Sequence, residues 1–201
     1  MEANIYKIAF LIRRAWNSRI SATHLVKILY AAELRWIARK QERFTNFEFI
    51  HDRYGPNIPE IREFLDSHPQ FSGDLSGEVI YYRTELSQKE INSQLPSEEI
   101  TALEEFAEKF SSMPFSDKQE PHNAGGLLGY AYNTRPFVDT AYKKVIQFDS
   151  YFGDTNIDNV LISDQEFKAL EKQAIRHDEA YSELLSEDSV QKMERYLSSL
   201  G

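Results

Sequence analysis

The sequence contains no cysteine, and this absence sets the first limits on what the chain can be. Without thiols the chain has neither a disulfide framework nor a thiolate metal site. Disulfides belong to oxidising compartments, so a composition without cysteine is compatible with the reducing cytoplasm. We therefore expect a cytoplasmic protein.

Positive charge is also scarce. The 201 residues include 23 Lys and Arg against 32 Asp and Glu, which gives a formal net charge of −9. A protein that binds nucleic acid through the phosphate backbone needs a basic surface, so this balance argues against such a partner. An acidic protein can instead attract a basic partner.

Long apolar runs are missing too. An early run over residues 8–12 is followed at once by Arg13 and Arg14, and no small-residue cleavage site follows a sufficient apolar core. No stretch reaches the roughly 18 consecutive apolar residues of a membrane-spanning helix. We therefore expect neither a signal peptide nor a membrane span.

What the chain does have is enough apolar material for a core. Hydrophobic residues make up 41% of it and aromatic residues 13%, a composition that argues against disorder. Apolar residues recur at helical spacing over 3–16 and 21–39, and Ser21 can serve as the N-cap of the second helix. Two further helix starts have the spacing of a capping box, Ser87 with Glu90 and Ser163 with Glu166.

The clearest strand covers residues 79–84, which are rich in β-branched and aromatic side chains. A lone strand needs a partner, and residues 70–75 can supply it in a small hairpin. Helical segments dominate the rest, so we predict a mainly α fold. It consists of a compact helical domain over 1–145, which includes the hairpin, and a C-terminal helical extension over 146–201 that packs on it.

The sequence Tyr-Gly-Pro at 54–56 predicts a sharp corner. Pro56 fixes its own φ and moves the preceding residue out of the helical region, which Gly55 tolerates best because it lacks a Cβ. The aromatic-rich run ahead of the corner, 44–50, fits either a buried strand or a helix, and we favour a helix. We expect this run to seat Tyr54 against the helix predicted for 21–39.

Three motifs follow one another in order: KILYAAE at 27–33, the Tyr-Gly-Pro corner, and NTRPF at 133–137. Together they resemble the Panacea domain, also described as SocA-like or phage-associated GepA-like. The family pattern is a helix of approximate sequence K-L-L-Y-L-A-D, an aromatic-rich segment ending in Y-G-P, and a threonine–proline–aromatic signature. Glu33 stands where the family often has Asp, and Phe137 where it often has Trp. The resemblance covers roughly residues 20–140, an ordinary domain length.

This resemblance implies an antitoxin-type interaction module that binds a cognate toxin protein and performs no chemistry. Related members present a toxin to a protease, which makes a protease system a second implied partner. No cofactor is implied. The residues that match the family motifs are Lys27, Tyr30, Glu33, Tyr54, Gly55, Pro56, Thr134 and Pro136.

Candidate partner-binding residues come from a general property of interfaces, in which aromatic residues and arginine dominate the hot spots. Tyr30, Trp36 and Tyr54 are interpreted first as core residues, with a groove for another protein as the alternative. Arg53 is expected to be exposed and to act as an interface anchor. The candidates are therefore Arg35, Trp36 and Arg53.

The residues offer little for catalysis or metal binding. The five histidines are scattered and no two have the i, i+4 spacing of a zinc helix, which argues against a metal site and against an enzyme. Two other functions stay open. One is a hydrolase in which His51 or His122 meets acidic groups across a cleft. The other is a DNA-binding regulator whose basic face comprises Arg35, Arg39, Lys40 and Arg43, and whose binding weakens steeply with salt.

Overall fold

The computed structural model describes residues 2–15, 18–111, 131–132 and 134–153, and the structural statements that follow concern these residues. Their elements, in chain order, are α1 (Glu2–Arg14), β1 (Ile20–Ser21), α2 (Ala22–Lys40), β2 (Ile50–Asp52), β3 (Gly55–Asn57), α3 (Ile61–Ser67), β4 (Phe71–Ser76), β5 (Val79–Thr84), α4 (Gln88–Gln94), α5 (Ser97–Ser111) and α6 (Arg135–Val138). A 3₁₀ turn follows at Asp149–Tyr151. None of the described helices has both the length and the apolar character needed to cross a membrane.

Helix α2 is the central element, and it confirms the helix predicted for 21–39. Ser21 is its N-cap: the hydroxyl accepts a hydrogen bond from the His24 N–H at 3.2 Å, which satisfies one of the donors that a helix start leaves unpaired. The helix ends at Gln41, which adopts a left-handed conformation with φ 58°. Most of its residues are buried, so α2 is an inner helix.

Helices α1 and α5 pack against α2 and against each other, and they enclose the main core. The Phe44 ring, from the segment after α2, lies 5.3 Å from the Trp36 ring and edge-on to the Phe106 ring at 5.7 Å. Burying one such side chain stabilises the fold by about 1.5–3 kcal/mol. Lys7 of α1 forms an ion pair with Glu99 of α5 at 2.9 Å. Elements far apart in the sequence are thereby joined around α2.

The prediction of a mainly α fold is wrong, because the described residues also form two antiparallel sheets. One has three strands in the order β1-β5-β4, and the other consists of β2 and β3. The predicted hairpin is confirmed as β4–β5, with Ser76 opposite Val79 next to the turn. Strands β1, β2 and β3 have only two or three residues each, too few for an alternating pattern to be visible in the sequence. The fold is therefore mixed α/β.

The aromatic-rich run over 44–50 contains no helix and enters a strand at Ile50, so the prediction of a helix there is wrong. Glu48 is exposed between buried Phe47 and Phe49, which is the alternation that extended backbone produces. The run leads into β2, and a later segment of the chain lies beside it, where the Ile146 N–H donates to the Phe49 carbonyl at 2.7 Å.

Residues just past the predicted domain end also contribute to the core. Ile146 and Phe148 are buried, and the Phe148 ring lies 5.8 Å from the Tyr30 ring. Residues beyond 153 lie outside the described part of the chain. The division at 145/146, the C-terminal helical extension and the capping box at Ser163 therefore stay predictions.

Candidate functional site

Three polar side chains of α2, Lys27, Tyr30 and Glu33, are buried in the protein interior. Their spacing of three residues places them along one side of the helix. Because a buried polar group is costly unless it is hydrogen-bonded, the partners of these side chains show what this side of α2 does. We call these three residues the α2 anchors.

Lys27 holds the Tyr-Gly-Pro corner. Its Nζ donates a hydrogen bond to the Pro56 carbonyl at 2.5 Å. The backbone at Gly55 has φ 86°, which favours glycine, and a Cβ placed there would come within 3.2 Å of the Lys27 Nζ. The corner therefore needs glycine for two reasons, its backbone conformation and the close approach of Lys27.

The same burial changes the protonation of Lys27. Burial lowers the pKa of Lys27 to about 7, because the charged ammonium must be removed from water, and the negative charge of Asp52 opposes this shift only in part. Lys27 is therefore mostly charged below pH 7 and increasingly neutral above it. Both forms carry N–H groups that can donate to the Pro56 carbonyl.

Tyr30 joins two of the sequence motifs. Its hydroxyl lies 2.6 Å from the Thr134 Oγ1, across a sequence separation of 104 residues. Thr134 donates its own proton to the Ala131 carbonyl at 2.9 Å, so Tyr30 is the donor of the pair. Pro136 is buried at the start of α6, where the missing N–H of a proline costs nothing. The hydrogen bonds from Tyr30 to Thr134 and from Thr134 to Ala131 tie Thr134 and Ala131 to α2.

Glu33 organises the chain that follows α2. Its carboxylate accepts hydrogen bonds from Arg43 Nε, from the Phe44 N–H at 3.0 Å, and from the N–H and hydroxyl of Thr45 at 3.0 and 2.8 Å. A buried carboxylate is tolerated only when it is paired and hydrogen-bonded in this way. Arg43 also donates to the Phe47 carbonyl at 2.8 Å. Glu33 thereby fixes a segment that has no regular secondary structure.

Tyr54 is 50% exposed, so its interpretation as a core residue is wrong. Arg53 and Tyr54 form the two-residue turn between β2 and β3, at an end of the small sheet where side chains reach solvent. Arg53 is exposed, as predicted. The Tyr132 hydroxyl donates to the Arg53 carbonyl at 2.7 Å. Lys27 and Tyr132 therefore both hold the backbone of the corner.

A second exposed segment lies beside this turn. The Lys143 Nζ forms an ion pair with the Asp52 Oδ1 at 2.8 Å, and the Arg53 N–H donates to the same oxygen at 2.6 Å. Burial acts to raise the pKa of Asp52, but these hydrogen bonds and the positive charges of Lys143 and Lys27 outweigh it, so that the pKa is lowered. The hydrogen bond with Asp52 also raises the pKa of Lys143.

We call the exposed residues of this region the turn surface: Arg53, Tyr54, Tyr142, Lys143 and Val145. Sequence reasoning named Arg53 as a candidate and missed the segment 142–145. Nothing in its local sequence marks that segment, which reaches the turn only because Val145 pairs with Ile50 of β2. Lys143 has a φ of 63°, which is uncommon for a residue other than glycine.

The other two partner-binding candidates are on α2 itself. Trp36 is only 4% exposed, which agrees with its interpretation as a core residue. It contributes to a groove of about 410 Å³ between α2 and α5, together with Arg39, Lys40 and Glu98. Arg35 is partly buried. Neither residue offers the exposed side chain that an interface anchor needs.

The basic cluster predicted as a DNA-binding face is neutralised by nearby acids. Arg39 forms an ion pair with Glu105 at 2.5 Å, and Lys40 forms one with Glu98, both on α5. Arg43 is paired with buried Glu33. Three of the four predicted cations therefore face carboxylates of the protein itself.

His51 has a structural environment. Its Nδ1 lies 2.5 Å from the Thr140 carbonyl, and its ring packs on the Phe137 ring at 4.0 Å. Within the described ranges, no three His, Asp or Glu side chains come together as metal ligands would. His122, the other histidine considered for a hydrolase, lies outside the described residues.

Comparison with protein families finds a match, and it includes both the α2 anchors and the Tyr-Gly-Pro corner. Residues 25–120 match the family described as Antitoxin SocA-like, Panacea domain. The resemblance drawn from the motifs is thereby confirmed over slightly less than half of the chain, and it supports an antitoxin-type role. Searches of curated proteins and of solved structures found no match.

We call the matched residues 25–120 the Panacea segment. It contains all three α2 anchors and the Tyr-Gly-Pro corner. Thr134 and Pro136 lie beyond its end, yet the Tyr30–Thr134 hydrogen bond connects them to it. The polar motif residues of the Panacea segment thus bind other parts of the same chain, and its exposed motif residue is Tyr54.

Proposed function

We propose that this chain is an antitoxin-type protein of the cytoplasm that binds and neutralises a cognate toxin protein without catalysing a reaction. The match of residues 25–120 to the SocA-like Panacea domain carries this proposal. The net charge of −9 adds support, since it favours protein partners over the phosphate backbone of nucleic acids.

The contacts of the α2 anchors are consistent with a binding module. Lys27 and Glu33 are the buried charged residues of α2, and both are engaged in hydrogen bonds that position backbone segments. Their role is to hold a rigid frame, on which exposed side chains can be presented to a partner. Rigid presentation favours affinity because less conformational freedom is lost on binding.

Co-expression tests this function directly. A toxin gene next to the gene for this chain should stop growth when expressed alone, and growth should return when this chain is expressed with it. The two purified proteins should form a stable complex in size-exclusion chromatography. Failure of the chain to restore growth, or measurable substrate turnover by the chain alone, would overturn the proposal.

Neutralisation by direct binding and neutralisation through a protease predict different toxin levels. Direct binding covers the active surface of the toxin and leaves its cellular half-life unchanged or longer. An adaptor that presents the toxin to a protease shortens that half-life. We propose direct binding, and a pulse-chase measurement of toxin half-life with and without this chain distinguishes the two routes.

The DNA-binding alternative has no observation in its favour. Its predicted basic face is largely paired with carboxylates of α5 and with Glu33. The described residues do not favour the hydrolase alternative either, since the ring of His51 is packed on Phe137 and its Nδ1 faces a backbone carbonyl. His122 lies outside the described residues.

A further inference from the structure

We propose that the turn surface, defined above as Arg53, Tyr54, Tyr142, Lys143 and Val145, is where the toxin binds. The partner segment that fits it is acidic and carries an aromatic or aliphatic side chain. This inference rests on the proposed antitoxin function and adds to it the location of the interface and the chemistry of the partner.

Three large apolar side chains on this surface are exposed. Tyr54 is 50% exposed, Tyr142 57% and Val145 37%. Exposed large apolar side chains that lie together mark interaction sites, and tyrosine is among the residues that dominate binding hot spots. Tyrosine suits this use because it offers a large contact area with few rotatable bonds.

The surface is also held in place from beneath. Lys27 fixes the Pro56 carbonyl, Tyr132 fixes the Arg53 carbonyl, and Asp52 bridges the two halves by accepting hydrogen bonds from Lys143 and from the Arg53 N–H. Each of these contacts acts on the backbone or on the base of the turn. The exposed side chains are therefore presented by a preorganised backbone, which reduces the entropy lost on binding.

Lys143 adds a second, independent observation. It adopts a left-handed backbone conformation with φ 63°, stabilised by its N–H donating to the His51 carbonyl at 2.8 Å. Non-glycine residues in this conformation are strained, and strained residues cluster at binding and catalytic sites. The Lys143 ammonium lies beside Asp52, and therefore beside the Arg53–Tyr54 turn.

The charge of the turn surface indicates which kind of partner segment it binds. The turn surface carries Arg53 and Lys143, with exposed Lys144 adjacent, and the Lys143 ammonium is paired with the carboxylate of Asp52. It is thus locally positive on a chain whose net charge is −9. An acidic segment of a protein complements it. Nucleic acid fits less well, because a footprint of two or three cations on an acidic protein supplies few phosphate contacts.

The hairpin tip provides a matched control surface. Leu75 at the tip of β4–β5 is 68% exposed, and Val79 is 40% exposed. Asp74 and Glu78 flank them, so this tip is apolar and acidic where the turn surface is apolar and basic. A substitution there removes a similar exposed side chain without changing the turn surface.

The test measures the affinity of the full-length chain for the purified product of the adjacent toxin gene by isothermal titration calorimetry. Tyr54→Ala and Tyr142→Ala should each weaken binding by about tenfold or more, as expected for hot-spot residues. Arg53→Glu should weaken it most at low salt, because it replaces attraction by repulsion. Leu75→Ala should stay within about twofold of the wild type.

Thermal unfolding of each variant, and retention of affinity by Tyr54→Phe, show that lost binding does not come from lost structure.

The outcomes separate the surface from the function. Should the wild-type chain fail to bind the toxin, both the function and the surface are overturned. Wild-type binding that is unchanged in all three turn-surface variants leaves the function standing and overturns the surface. Binding of a labelled duplex DNA that is lost in Arg53→Glu, with toxin affinity unchanged, also overturns the proposed partner chemistry.

Discussion

The α2 anchors and the turn surface reverse the usual placement of polar and aromatic side chains. Lys27 and Glu33 are buried, whereas Tyr54 and Tyr142 are about half exposed. The buried polar groups bind three different chain segments and so determine where those segments lie. The exposed aromatic groups add little to the core. Polar residues of a motif can therefore serve the fold, while its aromatic residue is available for recognition.

Among the variants that test the role of the α2 anchors, Glu33→Ala should lower the free energy of unfolding most. It leaves the Arg43 guanidinium and the N–H groups of Phe44 and Thr45 without their acceptor in the interior. Breaking a buried ion pair of this kind costs about 3–5 kcal/mol. Urea unfolding measures the loss. Glu48→Ala is the control, because Glu48 is exposed and its removal should change stability by no more than about 0.5 kcal/mol. Equal effects of the two substitutions would show that Glu33 is not an anchor.

Two glycine substitutions test whether Lys27 leaves room for a Cβ at Gly55. Gly55 and Gly77 both have positive φ, but a Cβ at Gly77 meets nothing within 4 Å, whereas one at Gly55 meets Lys27. Gly77→Ala should cost about 1–2 kcal/mol of backbone strain. Gly55→Ala should cost about 1–3 kcal/mol more, because buried Lys27 must also move. Denaturant unfolding of both variants measures the difference, and a difference near zero would show that Lys27 yields freely.

Protonation of Lys27 should make stability depend on pH. The unfolded chain keeps this proton up to its ordinary pKa of 10.5, whereas the folded chain releases it near 7. Between these values the unfolded state binds more protons, so the free energy of unfolding rises with pH, by about 1–2 kcal/mol between roughly pH 7.5 and 9. The control is Lys27→Met. The free energy of unfolding of this variant should not rise with pH in this range, whatever its absolute value. The same dependence on pH in both proteins would contradict the burial of Lys27.

The smallest of these effects is expected from Tyr30→Phe. It removes the donor to the buried Thr134 Oγ1, and one lost hydrogen bond of this type costs about 1–1.5 kcal/mol. Tyr142→Phe removes a hydroxyl whose hydrogen bond with Lys143 lies at the exposed surface, and it should be neutral within about 0.5 kcal/mol. Thermal unfolding compares the two. A neutral Tyr30→Phe would mean that the hydrogen bond between the motifs does not stabilise the fold.

Local patterns predicted the elements that depend on neighbouring residues. Helical periodicity and the Ser21 cap identify α2, and a run of β-branched and aromatic residues identifies β5. The glycine and proline of the corner require a turn whatever surrounds them. The ordered motifs resemble the Panacea domain, and the match of residues 25–120 to that family agrees with the resemblance.

Contacts between distant segments could not be predicted in the same way. The segment 142–145 reaches the turn through pairing with β2, and the partner of Tyr30 lies 104 residues away. Tyr54 was misplaced because an aromatic residue next to a buried helix is more often in the core than at an exposed turn tip. Short strands such as β2 and β3 are set by these tertiary contacts rather than by an alternating sequence pattern.

Hydrogen–deuterium exchange of the full-length chain, with and without the toxin, tests the central claim most directly. We predict that the toxin protects backbone amides at 51–55 and 141–145 and leaves the slow exchange of 27–33 unchanged, because the anchors are already buried and the turn surface becomes buried. Protection of the β4–β5 hairpin with no change at 51–55 and 141–145 would contradict the account.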